Sequence, residues 1–174
     1  MRLSTCGLIV YLSLFLSPAH AATFIDRARM IDPPQKVAAI VFEDADHIQH
    51  ALTDYRGRFV LLNIWASWCG PCVEEMPSLD ALQKKIPSSQ LIVLPLSEDR
   101  GDAVVSSFYR NHALTRLPIA IDHAGIAPSV LKIDGLPTTF LINPQGYIVM
   151  RFEGDTDWTS PEALAFLHTH INAP

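Results

Sequence analysis

Six apolar residues and one asparagine, Phe59 to Trp65 in "FVLLNIW", run directly into "ASWCGPC". A stretch with so few polar positions suits a central strand buried on both faces. From Pro71 the period changes, and Val73, Met76, Leu79, Leu82 and Ile86 fall three to four residues apart along one helix face. Pro77 is expected to bend that helix. A second apolar run, "QLIVLPLS", follows. Strand, helix, strand is a βαβ unit, which implies a parallel pair.

The remaining elements build outward from that unit. Asp102 to Ala113 predicts an amphipathic helix carrying Val105, Phe108 and His112, "LPIAID" a short strand, and Pro128 to Lys132 a short helix. "GLPTTFLINPQGYIVMRFEG" reads as two antiparallel strands joined by a turn at Asn143 to Gly146. A last helix starts at Ser160 as N-cap with Pro161 in first position and presents Leu164, Leu167 and Ile171. Upstream, "VAAIVFED" is strand-like, Asp46 to Tyr55 is expected to be helical, and residues 22–36 read as a loosely held polar lead. Trp65, Phe140 and Phe152 are expected in the core, and Trp158 either packed or on the surface. The scattered histidines receive no role.

The 174 residues suffice for one domain, assigned to 37–174. With 13 basic against 18 acidic residues and no basic cluster, the chain offers no surface for nucleic acid. Residues 1–21 have the features of a secretory signal: a basic start, an apolar run from Leu8 to Leu16, and "AHA" as a cleavage site after Ala21. An uncleaved N-terminal anchor is the alternative. The run is shorter than the ~20 residues of a spanning helix. Cleavage removes Cys6 and leaves Cys69 and Cys72, so the exported protein has no disulfide framework.

That remaining pair therefore has a local task. Cys69 ends the strand and Pro71 opens the helix, which puts both sulfurs at a helix N-terminus, where free N–H groups and the helix dipole favour an anion. Cys69 is expected to be the attacking thiolate and Cys72 the more shielded, resolving thiol. A structural zinc site would need further cysteine or histidine ligands at suitable spacing. A permanent structural disulfide across two residues would restrict the unfolded chain little. Thiol–disulfide exchange is the reading these residues favour, with a Cu(I) site on the same two sulfurs as an alternative of another class.

"LLNIWASWCGPCVEEMPSLDAL" and "GLPTTFLINPQGYIV" resemble the TlpA-like, ResA-like branch of the thioredoxin superfamily, from about Val41 to the C-terminus. The resemblance implies an α/β thioredoxin fold. Its central mixed sheet is flanked by helices, with an N-terminal β-hairpin extension and an inserted strand–helix element at "PIAID" and the helix after it. It implies Cys69 as nucleophile, Cys72 as resolving cysteine, and Trp68, Gly70 and Pro71 completing the loop. Pro137 matches the superfamily's cis-proline, with Leu136 and Thr138 beside it where a substrate chain would pair. Asn63 stands where cytoplasmic thioredoxins carry a buried aspartate, so Glu75, one turn beyond Cys72, is the candidate proton relay; Glu74 is expected to be solvated.

The same resemblance implies a periplasmic reductant with no cofactor beyond its redox disulfide, and the short lead from Ala22 to Lys36, with no convincing dimerisation helix, favours a monomer. Electrons would come from a membrane thiol reductase and pass to exported disulfide proteins, in cytochrome c maturation or copper-site assembly. An oxidant or isomerase using the same site is the alternative.

Overall fold

The computed structural model describes residues 23–172, so the expected signal or anchor segment lies outside the described residues. The apolar run forms strand β4, Phe59–Trp65, at the centre of an eight-stranded mixed sheet. Counting earlier elements along the chain, these are helix α1 (Phe24–Arg27) and strands β1 (Ala28–Lys36), β2 (Val41–Glu43) and β3 (Gln49–Ala51). After β4 come α2 (Gly70–Lys85), β5 (Leu91–Ser97), α3 (Asp102–Asn111), β6 (Ala120–Ile121), α4 (Ala127–Val130), β7 (Thr138–Ile142), β8 (Tyr147–Glu153) and α5 (Pro161–Ile171). The strand order is β1-β8-β7-β4-β5-β6-β2-β3.

β4 pairs parallel with β5, through the α2 crossover, and antiparallel with β7. Being central, it buries both faces, and Val60 to Trp65 are all buried. One face packs on α2, where Met76, Leu79 and Leu82 are fully buried, and the other on Ile40, Phe42 and Leu131. The β7–β8 hairpin turns at Asn143, whose Oδ1 accepts from the Tyr147 N–H at 2.9 Å. Gly146 there has a φ of +84°, a conformation that costs glycine nothing. Helix α5 begins as expected, with Ser160 Oγ accepting from the Ala163 N–H. β2 and β3 form the expected hairpin at one sheet edge, beside β6 and α4, the inserted element.

Three expectations are corrected. Residues 24–36 are not a loose lead: β1 pairs along β8 as an edge strand, and the Phe24 ring stacks on Phe152 with centroids 4.9 Å apart. Residues 46–51 form the hairpin turn and β3, leaving only Leu52–Tyr55 as a 3₁₀ turn. The buried face of α3 uses Tyr109 beside Val105 and Phe108, while His112 is exposed and stacks on Phe108. α2 runs from Gly70 to Lys85 with Pro77 inside it. Trp65, Phe140 and Phe152 are buried as expected, and Trp158 is fully buried. No helix among the described residues is long and apolar enough to cross a membrane.

Candidate active site

β4 ends at Trp65, and four residues later Cys69 is the N-cap of α2. Its Sγ accepts from the backbone N–H of Cys72 at 3.3 Å, so the sulfur occupies the place an N-cap oxygen normally takes. Cys69 and Cys72 are bonded to each other as a disulfide. Cys69 is the more accessible, 8% exposed against 1% for Cys72. This is the asymmetry that an attacking and a resolving thiol require. Among the described residues no group of three or more His, Cys, Asp or Glu side chains is arranged to hold a metal ion.

The loop before Cys69 is held from β5. Asp99, which follows that strand, accepts from the Ser67 N–H and the Ser67 hydroxyl, each at 2.8 Å, and from the Ser97 hydroxyl at 2.9 Å. Trp68 projects from this loop, 71% exposed. Across from it, Leu136 and Pro137 join through a cis peptide bond ahead of β7. Trp68, Cys69, Gly135 and Leu136 line one cleft of about 860 Å³, together with Glu98 and Ile133. Gly70 and Pro71 are exposed on the first turn of α2, outside the lining. Pro137 and Thr138 are buried, and the Thr138 hydroxyl donates to the Gly135 carbonyl at 2.7 Å. Thr138 therefore supports the segment that faces the cleft rather than lining it.

Behind the disulfide lies a buried polar network. Glu75, one turn past Cys72, is 2% exposed, while Glu74 is on the surface. One Glu75 oxygen accepts from Asn63 Nδ2 at 3.1 Å, and the other accepts from the indole N–H of Trp158. Asn63 Nδ2 also reaches the Thr139 hydroxyl at 3.0 Å. Ser78 ties the layers together, donating to the Glu75 carbonyl and accepting from the Trp158 N–H. Burial pushes the Glu75 carboxyl up to about 8; the donors Trp158 and Asn63 oppose that rise, and Asp155 adds to it. A carboxyl titrating there can both take and return a proton near neutral pH.

Sequence reasoning places Glu75 and Asn63 near the disulfide but misses Trp158, Thr139 and Asp99. The relevant pairs are 83, 76 and 32 residues apart, beyond any periodic signal.

Residues 33–151 match the AhpC/TSA family. The thiol-disulfide oxidoreductase ResA of Bacillus anthracis is 30% identical over 151 residues, covering 84% of this chain and 86% of ResA. A Chlorobium tepidum protein described as a putative thiol:disulfide interchange protein DsbE superposes with a TM-score of 0.73 at 23% identity, over 82% of this chain and 99% of its own. Bacillus subtilis StoA superposes with a TM-score of 0.59 at 25% identity, over 68% of this chain and 90% of its own. The thioredoxin-like fold, the Cys69–Cys72 pair at its helix N-terminus and these similarities agree. The chain belongs to the AhpC/TSA family and is a ResA-type thiol–disulfide oxidoreductase.

Proposed function

We propose that this protein works outside the cytoplasm as a reductant of disulfides in selected exported proteins, of the kind handled in cytochrome c maturation or copper-site assembly. The observation that carries the direction is the carboxyl of Glu75 buried behind Cys72. A strong oxidant gains its power by stabilising the reduced, thiolate form. A buried carboxyl beside the pair works the other way: as it ionises toward about pH 8 it disfavours a second anion on the sulfurs, so the dithiol is not held in a stabilised thiolate form.

Cys69 as thiolate attacks one sulfur of the substrate disulfide, forming a mixed disulfide and expelling the other sulfur. Cys72 then gives its proton to the ionised form of Glu75 and attacks Cys69 Sγ, which closes the protein disulfide and expels the second substrate sulfur as a thiolate; the substrate sulfurs take up protons from solvent, and Glu75 gives its proton back to water. The substrate backbone lies beside Leu136 and Pro137, between them and Trp68, and pairing with the main chain there accepts varied sequences. A membrane thiol reductase restores the dithiol. The protein acts as a monomer, and its segment 1–21 is the export signal, cleaved after Ala21.

The test compares reduction of two oxidised peptides, a haem-attachment peptide with its C-x-x-C-H disulfide and a copper-site peptide with paired cysteines, against glutathione disulfide. At least one peptide is expected to react about tenfold faster or more. Equal, slow rates on all three contradict selective reduction.

A further inference from the structure

Glu98 is a carboxyl that the mechanism above leaves unused, and it lines the same cleft as Trp68, Cys69 and Leu136. It directly follows β5, where its N–H is fixed to the Trp65 carbonyl at 2.9 Å. Its Oε1 is buried and has no hydrogen-bond partner. Two further carboxyls stand close by: Asp99 holds Ser67 and Ser97, and Asp122, which does not line this cleft, accepts from the Ala127 N–H at 2.6 Å through Oδ2 and leaves Oδ1 unpaired. Of the three, Glu98 alone combines a place in the cleft with an unpaired oxygen.

Its surroundings favour its protonated form. Burial raises the Glu98 carboxyl, and the charges of Asp122 and Asp99 raise it further, to about 7. Arg100 on the same loop, His123 after β6, and Asp134 across the cleft complete the charged groups around it. A carboxylic acid in the same cleft as the attacking sulfur has a plain use.

We propose that Glu98 is the general acid of the first half-reaction, protonating the substrate sulfur that leaves when Cys69 attacks. This deepens the reductant reading above and rests on it. The Cys69–substrate S–S bond forms as the substrate S–S bond breaks. The departing sulfur takes the bonding pair and the Glu98 proton and leaves as a thiol, while Glu98 becomes a carboxylate and regains its proton from water in the cleft. Glu75 serves Cys72 in the second half-reaction. The two acids thus occupy different surroundings, Glu75 in the buried network with Asn63 and Trp158 and Glu98 in the lining of the cleft that Cys69 shares.

General acid help matters for a poor leaving thiolate and little for a good one. The test is therefore the rate at which purified, reduced Glu98→Gln protein attacks two anionic probes, glutathione disulfide with its alkyl leaving thiol and dithiobis(nitrobenzoate) with its aromatic one. The glutathione disulfide rate is expected to fall about tenfold or more relative to the aromatic probe. In the native protein that rate ratio is expected to drop as pH rises through about 7, and in the variant to stay flat. Equal loss on both probes, which a purely electrostatic or folding role would give, overturns the proposal, as does no change on either. Native protein inert to both probes overturns the reductant reading itself.

Discussion

Asn63 Nδ2 sits 3.1 Å from Glu75 Oε2, joining the middle of the central strand to the helix that carries the disulfide. The same amide reaches Thr139 on β7, while its own Oδ1 is buried without a partner. An amide in this place donates to the ionised Glu75 carboxylate, and a carboxylate could not. Substituting Asn63→Asp puts two acids in contact in a buried site, where they cannot both ionise cheaply. The pH at which the thiols of the reduced protein titrate, followed by thiolate ultraviolet absorbance, is expected to rise by about one unit or more. An unchanged titration would show that Asn63 and Glu75 are not coupled to the cysteines.

Glu75 also makes the fold sensitive to pH. Its folded-state value of about 8 lies above the ordinary 4.5, so between those limits the folded protein holds a proton that the unfolded chain has lost. By linkage, stability is greatest below the lower limit, falls as pH rises through the window and levels off above about 8. At about 1.4 kcal/mol for each pH unit of that window, the loss amounts to a few kcal/mol. Glu75→Gln removes it. Denaturant midpoints measured on both sides of the window should fall with pH in the native protein and change less in the variant.

Trp158 holds Glu75 from the other side and packs on Phe24 and Phe152, with ring centroids 5.6 and 5.4 Å away. Trp158→Phe keeps most of the packing and removes the N–H donor that favours the ionised carboxyl. Glu75 is then expected to titrate higher still, at a stability cost of about 1–3 kcal/mol for the lost partner. Indole fluorescence of the native protein should change with pH around 8, because the ring contacts the titrating group. The variant should lack that transition. A transition that persists would place it at Trp65 or Trp68 instead.

Local signals make much of this molecule legible. The boundaries of β4 follow from an apolar run broken only by Asn63, and the cysteines' position at a helix start follows from the change of period at Pro71. Glu75 can be found because it lies one turn from Cys72. Trp158 cannot, since its role depends on the loop between β8 and α5 folding back over α2. Residues 24–36 resemble a loop for a physical reason: β1 is an edge strand that pairs on one side only and leaves most side chains in solvent, so its composition is that of a loop. His112 falls at helical spacing yet lies on the surface, because Tyr109 takes the buried place and donates its hydroxyl to the Pro118 carbonyl at 2.9 Å.

The central claim is that the Cys69–Cys72 couple donates electrons. Its reduction potential, measured on purified protein equilibrated with defined dithiol/disulfide buffers and with metal excluded, tests that claim most directly. An electron-donating couple is expected to show a value near the roughly −270 mV of thioredoxin. A value near the roughly −120 mV of a strong oxidant would reverse the direction of electron flow and contradict the claim.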